Sequence, residues 1–225
     1  MGITGMTRNK LFTIGVTGIS GSGTSSVAKI LAGLGGYAIE ADMLARAVMQ
    51  SGQPAFDEIL AVFGDEILAN GEIDRRALGA LVFGKADEMK KLEKIIHPKV
   101  IAAIERLLAV ADGVKFAVID APLLIESGLN KICHETWLVT APDEKRIQRI
   151  MQRDGIDYEY AKKRLSSRKT DEELRQYVDI VIENDSGQEA LMQKVSQSLR
   201  EEYKTAPEDF TQMQRILAEV ALKAL

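Results

Sequence analysis

The stretch Leu11–Ser26, LFTIGVTGISGSGTSS, decides how the chain is read. A short apolar run breaks into a loop with glycine at positions 15, 18, 21 and 23, and helix-forming residues follow from Val27. Strand, glycine loop and helix in that order form a site for phosphate, because loop amides and the positive end of the helix both face the anion. Gly18 and Gly23 are placed so that the run fits G-x-x-x-x-G-K-[ST] at every position but one. Thr24 stands where the lysine belongs. In that pattern the amides cradle the α- and β-phosphates, lysine reaches the β- and γ-phosphates, and the next hydroxyl, here Ser25, holds Mg²⁺. Gly18, Gly21, Ser22 and Gly23 are the candidate amide donors. The alternative is a glycine turn that only joins a strand to a helix.

Working outward, Phe12–Thr17 predicts a buried central strand and Val27–Leu34 a helix ending at Gly35-Gly36. Tyr37–Ile39 reads as a second strand, with Glu40, Ala41 and Asp42 at its C-terminal end, where open parallel sheets collect ligands. Asp42 is a candidate general base and metal-shell residue, or else the N-cap of the helix that follows. From Met43 to Ala111 the pattern is one of amphipathic helices with turn signals at Ser51-Gly52-Gln53-Pro54, Asn70-Gly71 and His97-Pro98. Phe56, Ile59, Leu60 and Phe63 recur there at helical spacing and read as core. His97 reads as a helix-boundary or core residue, and neither it nor His134 has the spacing of a zinc ligand.

Strand character returns at Lys115–Asp120, Glu135–Thr140 and Val178–Ile182. Five strands with their crossovers imply an α/β fold, with a mostly parallel sheet covered on both faces. Asp120 closes a strand and is placed to reach a metal-bound water, or simply ends the strand before Ala121-Pro122. Lys145–Lys169 holds nine basic residues against three acids. Arg149 and Arg153 share a helix face, and Arg164 and Arg168 repeat that spacing after the turn at Asp154-Gly155. Two arginine pairs on a helix-turn-helix suit a lid closing over phosphates; the bland alternative is a solvated basic face.

With 225 residues, 46% of them hydrophobic, the chain can bury a sizeable core, and a net charge of -4 gives no basis for a nucleic-acid partner. The single cysteine, Cys133, excludes an internal disulfide and reads as a buried structural residue. No apolar run is long enough to cross a membrane, and Met1–Lys10 lacks the apolar core of a signal peptide, so a cytoplasmic protein is expected. Glu208–Leu225 is an amphipathic pattern that would dock on its own domain or on a partner, the first being expected because a terminal helix with an apolar stripe normally finds local cover.

Taken together, GVTGISGSGTSSVAKILAGLG, IEADMLAR, IIHP, DAPLLIESGL, IMQRDGIDYEYAKKRL and VDIVIEND resemble, in order, the dephospho-coenzyme A kinase family. The resemblance implies a P-loop kinase core with a helical substrate-binding insert and a helical lid. It also implies ATP-dependent, Mg²⁺-assisted phosphorylation of the 3′-hydroxyl of dephospho-coenzyme A, the last step of coenzyme A synthesis. Carried over by residue, the base falls on Asp42, and the ATP-binding loop on Gly18, Ile19, Ser20, Gly21, Ser22, Gly23, Thr24, Ser25 and Ser26. The lid arginines fall on Arg149 and Arg153, an adenine-side position on Asn184, and substrate positions on Arg46 and His97. The metal would meet Ser25, with Asp42 and, through water, Asp120 as further candidates. The expected division is 11–42 and 112–206 for the core, with its lid at about 145–170, 43–111 for the substrate domain, and 207–225 for a terminal helix.

Thr24 is the departure that bears on chemistry. Losing one preorganised charge-stabilising donor typically costs on the order of 10² to 10³ in rate, and a lid arginine is the expected substitute. A catalytically impaired nucleotide- or coenzyme A-binding protein, and a nucleoside-type kinase, are the alternatives.

Overall fold

A computed structural model of the chain describes residues 11–111, 114–166 and 170–203. The elements are β1 (Phe12–Thr17), α1 (Thr24–Gly33), β2 (Gly36–Glu40), α2 (Ala41–Ala47), α3 (Phe56–Phe63), β3 (Leu68–Ala69), β4 (Glu72–Ile73), α4 (Arg75–Val82), α5 (Ala86–Val110), β5 (Phe116–Asp120), β6 (Glu135–Thr140), α6 (Asp143–Asp154), α7 (Tyr158–Ser166), α8 (Asp171–Arg175), β7 (Ile180–Glu183) and α9 (Gln188–Ser198). They form two compact units, one on either side of the boundaries at Ile39/Glu40 and Val110/Ala111.

In the first unit the strands take the order β2-β5-β1-β6-β7. The pairs β1–β5, β1–β6 and β6–β7 are parallel. Side chains alternate across each strand, and here both faces are buried. Ile14, Val16, Phe116, Val118, Trp137 and Val139 pack with Val27 and Leu31 of α1 and Leu191 and Val195 of α9. On the opposite face Leu138 meets Ile19 and Leu174 of α8. Burial on both faces explains why these strands read as continuous apolar runs. Because β1, β5, β6 and β7 run the same way, the loop after β1, the end of β5 and the segment after β7 share one edge of the sheet.

α6 and α7 form a helical hairpin around Ile147, Ile150 and Ala161. Gly155 makes the turn between them in the left-handed region, at φ 65°. A separate helix, α8, follows, opened by a capping box in which Thr170 and Glu173 satisfy each other's backbone.

The second unit, Glu40–Val110, is built on α5, against which α2, α3 and α4 pack. Ile59, Ile67 and Ile104 are wholly buried. Two turn signals resolve differently from the sequence reading. Asn70 and Gly71 both take positive φ, 54° and 81°, and close a two-stranded antiparallel hairpin, β3–β4, rather than a link between helices. His97-Pro98 is no boundary: α5 runs through it for 25 residues. Pro98 deprives Lys94 of its usual partner four residues on, but the buried stripe of Ile95, Val100, Ala103, Ile104 and Leu107 continues on both sides. Packing therefore overrides the break.

Helix α1 begins at Thr24, three residues before the expected Val27, because Gly23 launches it from the left-handed region. Gly36 belongs to β2, and β7 starts at Ile180 rather than Val178. The readings on Met1–Lys10, Arg168 and Glu208–Leu225 lie outside the described residues. Among the described residues no helix is long and apolar enough to cross a membrane.

Cys133 lies against the back of β1: a Cβ added to Gly15 would sit 2.7 Å from its sulfur. Its thiol donates to Leu129 O at 3.4 Å, and burial pushes its pKa from 9.0 up to about 12. The neutral thiol is a poor nucleophile, so an aromatic disulfide reagent at pH 8 is expected to leave Cys133 unmodified until the chain is denatured. Since the unfolded thiol ionises first, the Cys133 contribution to stability falls as pH climbs from 9.0 toward about 12. Rapid labelling of the native protein would contradict this placement.

Candidate active site

The loop leaves β1, turns where Ser22 N–H donates to Ile19 O at 2.9 Å, and enters α1 through Gly23. Gly21 and Gly23 hold φ at 82° and 99°, where any side chain is strained. Their surroundings are as restrictive. A Cβ at Gly18 would lie 2.5 Å from Val139 O, one at Gly21 would lie 2.7 Å from Arg146 O, and one at Gly23 would overlap Asn184 Nδ2. No side chain caps α1, and its first turn carries no acid. Ser22 is fully buried, and its Oγ has no hydrogen-bond partner among the described residues. An uncapped helix N-terminus beside a buried hydroxyl of that kind is fitted to an anion.

Thr24 is the first residue of α1 and half-buried. A Cβ on Gly18 would lie 3.1 Å from its methyl group, so the threonine leans across the loop toward Gly18. Ser25 Oγ donates to Asp120 Oδ2 at 2.8 Å. This hydroxyl–carboxylate pair joins the helix start to the end of β5, where Asp120 sits opposite Val16 in register.

Helix α6 brings both of its arginines of interest to the loop. Arg149 donates to Gly21 O at 3.0 Å, Ser22 O at 3.1 Å and Asn184 O at 3.3 Å. Asn184, buried just after β7, donates from Nδ2 to Ser22 O at 2.7 Å. Arg153 is more exposed. Its Nη2 lies 3.4 Å from Ser20 Oγ, and it makes a two-pronged pair with Asp154, which also accepts from Arg164 at 2.7 Å. The Arg153 guanidinium holds the Asp154 carboxyl below the usual range, with Arg164 adding to the effect.

Two residues of this region escaped the sequence reading. Arg146 is 4% exposed, is ion-paired to Asp171 of α8, and lies 3.5 Å from Asp143. Its backbone forms the wall against Gly21. α8 itself was signalled by Thr170-x-x-Glu173.

In the second unit, the N-cap of α2 is Glu40 rather than Asp42, with no side-chain cap bond. Asp42 instead lies in the first turn of α2, exposed, and Arg46 lies in its last turn, also exposed. His97 is half-buried inside α5.

The sequence matches the family model for dephospho-CoA kinase over residues 12–190. The chain belongs to the dephospho-CoA kinase family. A dephospho-CoA kinase of Geobacillus kaustophilus is 41% identical over 182 residues, covering 79% of this chain and 90% of that protein. One from Dehalococcoides mccartyi is 40% identical over 174 residues, covering 76% and 87%. Among solved structures, a Thermus thermophilus protein superposes with a TM-score of 0.74 at 32% identity, covering 84% of this chain and 95% of its own. Dephospho-CoA kinase from Campylobacter jejuni superposes with a TM-score of 0.53 at 27% identity, covering 82% and 94%. Membership of the family places the glycine loop, which departs from the lysine-bearing pattern only at Thr24, in a setting of ATP-using kinases.

Proposed function

We propose that this chain transfers the γ-phosphoryl group of ATP to the 3′-hydroxyl of dephospho-coenzyme A, the last step of coenzyme A synthesis, in the cytoplasm. The observation that carries this reading is the loop: an uncapped helix start and a buried hydroxyl without a partner among the described residues lie beside a helix, α6, whose Arg149 and Arg153 both reach the loop. Phosphoryl transfer depends on positioning and charge neutralisation more than on covalent chemistry.

In this reading the Gly18–Ser26 loop binds the nucleotide phosphates. Asn184 borders the adenine side. Arg153 supplies the cation that faces the phosphates in place of the lysine lost at Thr24. Asp42 takes the proton of the acceptor hydroxyl. The helical unit with Arg46 and His97 receives the coenzyme A portion.

Mg²⁺ fits the oxygen-only pair of Ser25 and Asp120, whose hydroxyl and carboxylate are already 2.8 Å apart. Among the described residues there is no group of three or more His, Cys, Asp or Glu side chains that could hold a metal. The ion would therefore take its other ligands from phosphate and water, as Mg²⁺ commonly does. When bound, it neutralises charge on the transferring phosphate oxygens.

The deciding measurement is a product assay with ATP, Mg²⁺ and dephospho-coenzyme A, run beside nucleoside acceptors. Phosphorylation of dephospho-coenzyme A alone is expected, and transfer only to nucleosides would overturn the assignment. Thr24 favours one second reading, a binding protein of the same fold without turnover. Thr24→Lys separates the two. A change in kcat of less than about tenfold is expected for an active enzyme, whereas a rise of about 10² or more from negligible turnover, the size of a lost charge-stabilising donor, identifies the impaired protein.

A further inference from the structure

We infer that Arg149 is a positioning residue that holds the phosphate loop from its carbonyl side, so that the turn stays closed and the Gly23 amide stays aimed at a phosphate without help from a lysine. The inference rests on the proposed reading that this loop receives nucleotide phosphates. An arginine beside such a loop is usually thought of as reaching for the ligand. Here Nη1 of Arg149 donates to two consecutive loop carbonyls, Gly21 O and Ser22 O, and Nη2 donates to Asn184 O. Ser22 O also accepts from Asn184 Nδ2, so both acceptor positions of that carbonyl are filled.

The consequence follows from peptide geometry. The peptide bonds of the described residues are trans, and in a trans peptide C=O and N–H point in opposite directions. Holding Ser22 O toward Arg149 turns Gly23 N–H away from it, onto the other side of the loop. Holding Gly21 O in the same way turns Ser22 N–H onto Ile19 O and closes the tight turn. A charged donor on a carbonyl also polarises its peptide group and strengthens the N–H opposite. The planar guanidinium meets the two loop carbonyls through Nη1 and Asn184 O through Nη2 with fixed donors, a set that the single nitrogen of an ammonium cannot reproduce with the same preorganisation. Gly23 completes the arrangement, since a Cβ there would overlap Asn184 Nδ2 and lie 3.8 Å from Arg149 Nη1.

The test is calorimetric binding of ADP and of ATP, each with Mg²⁺, to the full chain and to Arg149→Met, Arg149→Lys, Asn184→Ala and the Arg149→Met/Asn184→Ala double variant. Arg149→Met is expected to weaken ADP and ATP by the same factor, about tenfold, the size of a lost charged hydrogen bond. Arg149→Lys should lose nearly as much. The double variant should lose less than the product of the single losses, because both residues hold one carbonyl. An arginine that instead touches the γ-phosphate would weaken ATP and spare ADP, with losses that multiply with those of Asn184. Either of those findings overturns the inference, and so does parental ADP affinity in Arg149→Met. If Arg149→Met does not fold, Arg149→Lys decides, and parental ADP affinity in that variant overturns the role of the fork. A parent chain that binds ADP but leaves dephospho-coenzyme A unphosphorylated overturns the proposed function and leaves this inference standing. A parent chain that binds no ADP overturns this inference.

Discussion

Asp42→Asn is expected to lower kcat by about 10² to 10⁴, the range that a positioned general base contributes, with the fold intact. Asp42 is exposed and in the first turn of α2. Its structural value is then the interaction of a carboxylate with the helix N-terminus, about 0.3 to 1 kcal/mol. For a chain of this size that is a shift of only a few degrees in Tm, roughly 2 to 4 °C per kcal/mol. Activity and stability should therefore separate cleanly. The measurement is steady-state kinetics at saturating ATP and dephospho-coenzyme A, together with a thermal melt. A kcat within about threefold of the parent, well below the range for a base, would remove Asp42 from that role.

The largest stability effect is expected at Asp171→Ala. Arg146 is almost wholly buried, and its main partner is Asp171; Asp143 lies farther off and is mostly exposed. Removing Asp171 strands a guanidinium in the interior, which costs about 3 kcal/mol at the low end of such losses. That corresponds to a fall of about 6 to 12 °C in Tm. The penalty belongs to the unpaired charge rather than to the pair. Arg146 Nε and Asp171 Oδ1 already lack partners among the described residues, so the pair is imperfectly satisfied. The double variant Arg146→Leu/Asp171→Ala should therefore recover most of the lost stability. A single variant that melts within a degree or two of the parent would show that α6 and α8 are not tied through this pair.

Much of the architecture could be read from residue order, and the reasons differ from element to element. The strands β1, β5 and β6 are apolar runs because both faces of the sheet are buried, and a run of that kind is conspicuous. The glycine loop was conspicuous for a different reason, since its positive-φ positions and close walls admit little else. Pro98 misled because a proline is a local signal, while the apolar stripe that carries α5 past it belongs to the packing of the second unit. Asn70-Gly71 was read correctly as a turn, but strands of two residues are too short to show alternation.

The targets of the arginines could not be read at all. Helical spacing puts Arg149 and Arg153 on one face, yet only the folded chain shows that Arg149 meets Gly21, Ser22 and Asn184, three residues remote from it in sequence. The buried state of Arg146 was hidden in the same way, because in composition it is one more charge in a basic segment.

The order of the strands also dictates when this protein can begin to fold. β1 is made first, yet Phe12 pairs with Phe116 and Ile14 with Glu135, so neither neighbour exists until long after it has left the ribosome. The described part of the second unit, Glu40–Val110, is by contrast contiguous in sequence and has its own buried centre at Ile59, Ile67 and Ile104. Pairings so distant in the chain form slowly, and chains of this size tend to fold unit by unit during synthesis. The nascent chain would therefore carry the helical core of Glu40–Val110 behind an unpartnered apolar strand, and that interval, rather than the completed sheet, is where it is most exposed to aggregation.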